Sequence, residues 1–448
     1  MTAIAGIALP SAEEQVHEML ARMAYRGPKG KLVLAKSEVT VGLALTEGQP
    51  AAEKTLQQSG IVEDAVGDSQ FSRAAAAGNT FVLSRDLLGA APLYYGFTLS
   101  GALCFASEVK GLLGFVGQVH ELPPGCICKD GKVQPQAGLA PQKPTEEAPL
   151  AIAAEVRRRI KQSVGQFINR GKPFGVWLSG GLDSSIIAAL ARPHVSTLHT
   201  FTAGFANSED LEHAQLVSRY IKSSHHEYIP SMREIAKALP HVIYHLESFD
   251  TQLVRSSLMN YFTAKMTADY VPAVFSGEGS DELFAGDEDL KSLPLEALPE
   301  ELIRRASQLH NTTLQRVDRC AAAFGLVPYI PFLDSGVVDY ALTIPPEYKI
   351  SNGLEKWILR RAVYDLLPER VLRRQKSRFW EGAGVRNRMA DYAEEKVTDA
   401  EFSQMQPTSN GGLLPTKEAA LYYRIFTEHF GQLEQATWMG FLQQPVNE

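Results

Sequence analysis

The sequence predicts an α/β protein in which a β-rich first part precedes a parallel sheet. In residues 1–130, short apolar runs such as KLVLA, TVGLAL, TFVLS and LYYGF alternate with Gly, Ser, Asn and Asp, a pattern typical of strands. Beyond residue 145, helix-like and strand-like runs alternate, which favours a parallel sheet covered by helices. After Phe284 the apolar spacing is mostly helical.

A proline-rich stretch separates the two parts. GKVQPQAGLAPQKPTEEAPL carries four prolines and no apolar periodicity, so it is expected to be a linker. An amphipathic helix, IAAEVRRRIKQSVGQFI, and a strand, PFGVWL, follow it. We therefore expect one domain over residues 1–145 and a second over residues 146–448.

Composition narrows the class of protein. The 448 residues are 45% hydrophobic and 21% charged, which suits a sizeable buried core, and the net charge of −7 argues against nucleic acid as a partner. No apolar run approaches the ~20 residues of a membrane helix, and the first residues lack a basic signal region, so a cytoplasmic protein without membrane contact is expected. The four cysteines are expected to be free thiols.

One loop predicts a phosphate site. SGGLDSS follows the strand PFGVWL and opens an apolar helix, and ligands of parallel sheets bind at this position. Glycines let backbone N–H groups face an anion, hydroxyls add donors, and the helix start adds positive potential. A carboxylate repels phosphate unless a divalent cation lies between them, so Asp183 predicts Mg²⁺. The predicted phosphate ligands are Ser179, Gly180, Gly181, Ser184 and Ser185.

A second loop has the same character. VFSGEGSDE, residues 274–282, again joins a strand-like run to a Gly, Ser and acidic turn. If the two strands are neighbours, Asp281 supplies the second carboxylate of the magnesium site, and Glu278, between two glycines, can face a substrate. Taken alone, the segment is more typical of a solvated acidic turn before a capped helix, and only its pairing with the first loop favours a site.

The two loops resemble known signatures. SGGLDSS is similar to the pyrophosphate-binding loop of PP-loop ATP pyrophosphatases, and SGEGSDELFAG to the second signature of asparagine synthetases in that superfamily. Further similar segments follow in order: TFTAGFANSEDLEHAQ, LQRVDR, PFLD, EKWILRRA, LPERVL and RQKSRFWEGAG. The resemblance covers residues 151–384 and implies a Rossmann-like nucleotide-binding domain with a largely helical end.

The resemblance implies a reaction and its cofactors. An enzyme of this type binds ATP and Mg²⁺, adenylates a substrate carboxylate with release of pyrophosphate, and passes the acyl group to an amine. Glu278 matches the glutamate of asparagine synthetases, which points to ammonia or an external amine. Lys376, in RQK, matches the family lysine that reaches the reacting phosphate, whereas by composition alone it is an ordinary surface lysine.

The resemblance also places residues around the nucleotide. Leu178 and Ala203 are implied to line the adenine pocket, although core packing explains both equally well. Ser276 and Gly277 are implied to lie close to the nucleotide.

The first part resembles a glutaminase domain. MTAIAGIALP is similar to the family's MCGIAGI start and MAYRGPKG to its HRGPDG turn, which implies an N-terminal-nucleophile αββα sandwich in reduced form. Thr2 stands where working glutaminases have the nucleophilic cysteine. No NGE-type glutamine-binding segment is found, and residues 49–78 read as a short polar replacement. Although threonine can act as an N-terminal nucleophile, we expect an inactive domain.

One departure concerns the substrate. Where the family shows Glu-x-Arg-x before PFLD, this chain has Val327, Pro328, Tyr329 and Ile330. Because aspartate would need cationic partners, a bulkier or more apolar carboxylate, such as a metabolite or peptide, is expected instead.

Three functions are therefore distinguished. The first is an amide-forming ligase that uses ammonia or an amine but not glutamine, and that is expected to be a homodimer. The second is an intramolecular cyclase of the β-lactam synthetase or lasso peptide cyclase type. The third is a catalytically silent nucleotide-binding regulatory protein, against which the joint presence of Asp183, Asp281, Glu278 and Lys376 argues.

Overall fold

The computed structural model describes residues 2–36, 38–46, 50–67, 69–374, 385–405 and 414–431. Its secondary structure is mixed α/β, as the sequence predicts, and its strands form three sheets. Within the described residues, no helix combines the length and the apolar character needed to cross a bilayer.

The first part is built on two antiparallel sheets. A six-stranded sheet has the order β2-β3-β1-β8-β7-β9, and a five-stranded sheet has the order β11-β10-β6-β5-β4. The predicted runs KLVLA, TVGLAL, TFVLS and LYYGF correspond to β2, β3, β6 and β7. The strands are β1 Ile4–Ile7, β2 Gly30–Lys36, β3 Val39–Leu45, β4 Ile61–Ala65, β5 Phe71–Ala77, β6 Thr80–Arg85, β7 Tyr94–Phe97, β8 Leu103–Ala106, β9 Val119–Glu121, β10 Cys126–Lys129 and β11 Lys132–Pro135.

The two sheets pack face to face, so the sandwich is confirmed in reduced form. Apolar side chains of both sheets, including Val41, Phe81 and Phe105, form one buried cluster. The first helix, α1 (Glu13–Ala21), packs on the other face of the six-stranded sheet. The second, α2 (Pro50–Ser59), lies beside β4. Residues 49–78 are thus more than a polar replacement, because they supply α2 and the strands β4 and β5.

The second part contains the predicted parallel sheet. Its order is β14-β13-β12-β15-β16, and all four strand pairs are parallel. Buried aliphatic and aromatic side chains of the strands and helices form its core. The strands are β12 Phe174–Trp177, β13 His199–Ala203, β14 Ser224–Tyr228, β15 Ala273–Phe275 and β16 Val327–Tyr329.

Helices cover this sheet and dominate the rest of the chain. The predicted amphipathic helix is α3, and its buried face includes Ile152, Val156 and Ile160. The proposed domain boundary near residue 145 lies between β11 and α3. The helices are α3 Pro149–Ile168, α4 Leu182–Ala191, α5 Glu209–Ile221, α6 Met232–Leu246, α7 Thr251–Ala268, α8 Ser280–Phe284, α9 Leu298–Ser307, α10 Thr313–Ala322, α11 Ser335–Leu342, α12 Pro346–Lys349, α13 Trp357–Ala362, α14 Glu369–Leu372, α15 Arg386–Lys396, α16 Asp399–Met405 and α17 Lys417–Phe430.

A buried network of charges joins the two parts. The guanidinium of Arg26 contacts Asp64 at 3.2 Å and Glu108 at 2.7 Å in the first part, and Asp318 of α10 at 2.8 Å in the second. Burial would raise the pKa of Glu108, but Lys110, Arg319 and Arg26 outweigh it and hold that pKa well below its usual range. The network, called the interdomain charge network below, consists of Arg26, Asp64, Glu108, Lys110, Glu247, Asp318 and Arg319.

Acid is expected to destabilise the protein through a histidine beside this network. Burial and then the charge of Lys110 lower the pKa of His245, on α6, from 6.5 to about 3. In the unfolded chain, His245 takes up a proton near its ordinary pKa of 6.5, whereas in the folded protein it does not. The free energy of unfolding is therefore highest above pH 6.5 and falls as the pH drops below that value. At about pH 5 the loss is about 2 kcal/mol.

Urea midpoints at about pH 7.5 and about pH 5 test this expectation. His245→Phe, which keeps an aromatic ring against Tyr25, should lose part of the acid sensitivity, whereas His17→Gln at an exposed position should not. An unchanged pH dependence in His245→Phe would show that another group controls acid unfolding.

Candidate nucleotide and metal site

The two predicted loops lie side by side at one edge of the parallel sheet. The strand β12 pairs with β15, with Val176 opposite Phe275, so residues 178–181 and 276–279 leave neighbouring strands at their carboxyl ends. The adjacency that the sequence argument assumed is therefore present, and both loops lead directly into helices, α4 and α8.

Glycine is required where the loops approach their surroundings. Gly180 has φ +71°, and a Cβ there would collide with the backbone of His213 and Ala214. A Cβ at Gly277 would lie only 2.7 Å from the amide nitrogen of Ser184. A side chain at Gly277 would push the second loop away from the first, and one at Gly180 would push the first loop away from α5.

The start of α4 has the features of an anion site. No side chain caps this helix. Ser179 Oγ accepts a hydrogen bond from the Gly181 amide at 3.3 Å and lies 3.2 Å from Ser184 Oγ, while Ser185 Oγ donates to the Gly181 carbonyl at 2.6 Å. The hydroxyls thus cluster at the helix N-terminus, where the backbone N–H groups and the helix dipole favour negative charge.

The two predicted metal-binding carboxylates meet at one ammonium group. Lys356 Nζ lies 2.7 and 2.6 Å from the two carboxylate oxygens of Asp183, and 2.6 Å from Oδ1 of Asp281. Ser280 Oγ also donates to Asp183 Oδ1 at 2.5 Å. Asp183 and Asp281, on α4 and α8, are therefore arranged to hold a single cation between them.

This donor set fits magnesium bound together with a nucleotide. Mg²⁺ is commonly held by one or two protein carboxylates, with phosphate and water oxygens completing its octahedron. Among the described residues, no group of three or more His, Cys, Asp or Glu side chains is arranged to hold a metal ion. Asp183 and Asp281 match the protein ligands of such a site, and phosphate and water oxygens would supply the remaining ligands.

Glu278 is paired with an arginine. Oε1 of Glu278 lies 2.6 Å from Nη2 of Arg316, which comes from α10. The Glu278 side chain is 27% exposed and that of Arg316 is 9% exposed. The ion pair fixes one carboxylate oxygen, and the exposed part of Glu278 can face a substrate.

The residues implied for the adenine pocket are buried. Leu178 and Ala203 are each 1% exposed and lie in apolar clusters of the second part. The Leu178 amide donates to the Phe201 carbonyl at 2.9 Å, which extends the pairing of β12 with β13 by one residue. Ser276 is 3% exposed. The nucleotide contacts of these residues remain predictions.

Lys376 lies outside the described residues, but the chain just before it is anchored at the site. Arg374 Nη1 donates to the carbonyl of Ser179 at 3.3 Å, and its Nη2 donates to Asp210 at 2.8 Å. Its own carbonyl accepts a hydrogen bond from Arg360 at 3.2 Å. The role of Lys376 at the phosphates stays a prediction.

The positions that depart from the family pattern belong to the core. Val327 is 7% exposed and Tyr329 is 3% exposed, and the ring of Tyr329 stacks on Phe167 at 4.5 Å. Neither position adds a charge to the site. Arg316, which sequence reasoning did not assign to the site, supplies a cation there from α10.

Thr2 is buried inside the first part. It is fully buried, its amide donates to Asp64 Oδ1 at 2.9 Å, and its carbonyl accepts from Arg26 Nε at 3.1 Å. Its hydroxyl is directed to the carbonyl of Ala44. The threonine at the position of the family nucleophile is thus fully engaged in packing and hydrogen bonds.

Known proteins give the context of this site. A family model described as asparagine synthase matches residues 155–296 and 291–444. Asparagine synthetase [glutamine-hydrolyzing] 2 of Arabidopsis thaliana is 33% identical over 78% of this chain and 65% of its own length, and the enzyme of Asparagus officinalis is 33% identical over 79% and 64%. A probable asparagine synthetase of Dictyostelium discoideum is 31% identical over 80% and 71%.

The chain thus spans slightly under two thirds of the length of the two plant relatives. Among solved structures, an NMN synthetase from Francisella tularensis matches with a TM-score of 0.30 and 12% identity, over 64% of this chain and 98% of that one. Superposition at that level carries no argument about the site.

Proposed function

Because the chain belongs to the asparagine synthase family, we propose that it adenylates a substrate carboxylate with ATP, releases pyrophosphate, and transfers the acyl group to ammonia or an amine with release of AMP. The observation that carries the proposal is the meeting of Asp183 and Asp281 around one cation position beside an uncapped helix start. A carboxylate attacking a phosphate is an encounter of two anions, and a divalent cation held by the two carboxylates, together with the start of α4, would supply positive charge where they meet.

The loop residues have distinct roles in this proposal. The amides at the start of α4 and the hydroxyls of Ser179, Ser184 and Ser185 bind phosphate oxygens. Asp183 and Asp281 hold Mg²⁺, which supplies charge neutralisation at the phosphates when bound. Lys376 acts on the charge that builds up between the α-phosphate and the departing pyrophosphate, and this role stays a prediction.

Glu278 serves the second half of the reaction. An amine must lose a proton as the amide bond forms, and a carboxylate facing the acyl group can accept it. Arg316 holds that carboxylate from one side at 2.6 Å. The absence of further charges at Val327 and Tyr329 favours a carboxylate substrate more apolar than aspartate.

Pyrophosphate release tests the proposal directly. The purified chain should release pyrophosphate from ATP with Mg²⁺ only when the right carboxylate is present, and it should exchange labelled pyrophosphate into ATP under the same condition. Screening small carboxylic acids and peptides, with aspartate as reference, identifies the substrate class. Binding of ATP without exchange for any carboxylate would favour the silent regulatory protein.

Free glutamine is not expected to be the nitrogen donor. Thr2 is fully buried and bonded to Asp64 and Arg26, so no nucleophile is presented to a glutamine amide. Ammonium chloride should support product formation, whereas glutamine should support neither product formation nor glutamate release. Glutamate measured by a coupled dehydrogenase assay decides between these outcomes.

Thr2→Ala provides the control for this prediction. It should leave ammonia-dependent product formation unchanged, because the contacts of Thr2 with Asp64 and Arg26 are made by its backbone amide and carbonyl, which alanine retains. If wild-type protein releases glutamate and Thr2→Ala does not, a threonine glutaminase is present and the expectation is wrong.

A further inference from the structure

The cation position between Asp183 and Asp281 is taken by a side chain of the same molecule. The ammonium of Lys356 contacts both oxygens of one carboxylate and one oxygen of the other, all at 2.6 to 2.7 Å. Its side chain is only 3% exposed, while those of Asp183 and Asp281 are 17% and 16% exposed. One positive charge therefore faces two negative charges in a largely buried position.

The backbone holds Lys356 at this place. Lys356 immediately precedes α13 and has φ 52° and ψ 30°, a left-handed conformation that costs a non-glycine residue energy. A Cβ at Gly286 would collide with the side chains of both Asp281 and Lys356. Arg360 ties α13 to Glu355 and to the carbonyl of Leu372. The surrounding structure thus maintains a strained residue whose ammonium fills the site.

A metal ion and this ammonium cannot use the same oxygens at the same time. Magnesium binds carboxylate oxygens at about 2.0–2.1 Å in strict octahedral geometry. An ammonium hydrogen-bonded to those oxygens occupies the space between them and adds a like charge next to the metal. Binding of a divalent cation by both carboxylates therefore requires Lys356 to move away.

We propose that Lys356 is the internal counter-ion of the metal site, and that it competes with the divalent cation. Before nucleotide binds, it keeps the two carboxylates together and neutralises part of their repulsion. When metal arrives with phosphates, the phosphates provide the negative charge that the displaced ammonium needs. Lys356 is thus a positioning residue that makes tight metal binding depend on nucleotide, and the inference rests on the proposed nucleotide site.

Metal binding without nucleotide is the primary test. Mn²⁺ titrated into the nucleotide-free protein and followed by electron paramagnetic resonance should bind weakly to wild type, and Lys356→Met should bind it more tightly by about tenfold or more. Lys291→Met is the matched control, because Lys291 carries the same charge nearby but pairs with Glu288 and Glu355. Mn²⁺ affinity that is unchanged or weaker in Lys356→Met would overturn the proposal.

Thermal unfolding provides a second readout, which can be measured even if Lys356→Met is less stable than wild type. Without divalent cations, Lys356→Met should melt at a lower temperature than wild type, and it should recover most of the difference when Mg²⁺ or Mn²⁺ is added. The melting temperature of Lys291→Met should show no such recovery when the cations are added. A loss of folding that divalent cations do not reverse would also overturn the proposal, because the lysine would then do something that a cation cannot.

The same titrations separate this inference from the proposed function. If wild-type protein shows no Mn²⁺ binding even with ATP present, the proposed nucleotide site itself is wrong. If wild type binds Mn²⁺ with ATP while Lys356→Met gains no affinity without ATP, only the counter-ion role fails.

Discussion

Asp183→Asn and Asp281→Asn are each expected to lower the rate of pyrophosphate release by at least about 10²- to 10³-fold. Each change removes one of the two carboxylates that meet at the proposed metal position, while the amide keeps nearly the same shape. Because the carboxylates face the same cation position, removing either should weaken binding of Mg²⁺ with ATP as well as the chemical step. Initial rates measured over a range of Mg²⁺ concentrations separate the two contributions.

Asp287→Asn is the matched control for these variants. Asp287 lies close to Asp281 in the chain but pairs with Arg305 at 2.8 Å, and its side chain is 35% exposed. It should retain wild-type rates and wild-type Mg²⁺ dependence. Normal turnover in Asp183→Asn or Asp281→Asn, with folding verified by circular dichroism, would rule out the metal assignment.

Glu278→Gln is expected to separate the two halves of the reaction. Adenylation does not require removal of a proton from the amine, so pyrophosphate exchange into ATP should stay within a few-fold of wild type. Amide formation should fall by about 10²- to 10⁴-fold, the range typical of a lost general base. Exchange and amide product measured on the same preparations give the ratio directly.

Two further variants sharpen this result. Glu288→Gln, at an exposed position paired with Lys291, should leave both halves unchanged. Arg316→Lys keeps a positive charge but cannot reproduce the guanidinium contact that holds Glu278, so it should lower the rate of amide formation more than the rate of exchange. Equal loss of exchange and amide product in Glu278→Gln would place Glu278 in nucleotide binding instead.

The architecture was predictable because its signals are local. Alternating apolar runs and helical spacing predicted the strands β2, β3 and β12 and the helix α3, and glycine-rich turns predicted both loops of the site. The pairing of β12 with β15 was an assumption that depended on strand order, which no local pattern encodes. Residues 49–78 were underestimated because polar and small residues there conceal two strands of a sandwich edge.

The partners of the site residues were not predictable from the sequence. Lys356 reaches Asp183 from 173 positions away, and Arg316 reaches Glu278 from 38 positions away. Both are basic residues within segments, EKWILRRA and LQRVDR, that resemble the family as a whole, and several other basic residues flank them. Only the folded chain shows which of these cations points to a carboxylate of the site.

The interdomain charge network gives the first part a structural role in the second. Asp318 and Arg319, on the helix that also carries Arg316, are buried against Arg26 and Glu108 of the first part. Removing one partner of a buried ion pair typically costs about 3–5 kcal/mol. Without residues 1–145, Asp318 and Arg319 of α10 would lose their ion-pair partners in the first part. Helix α10 would then be destabilised, and with it the position of Arg316, which contacts Glu278. The first part therefore helps to position α10, independently of any reaction that it catalyses itself.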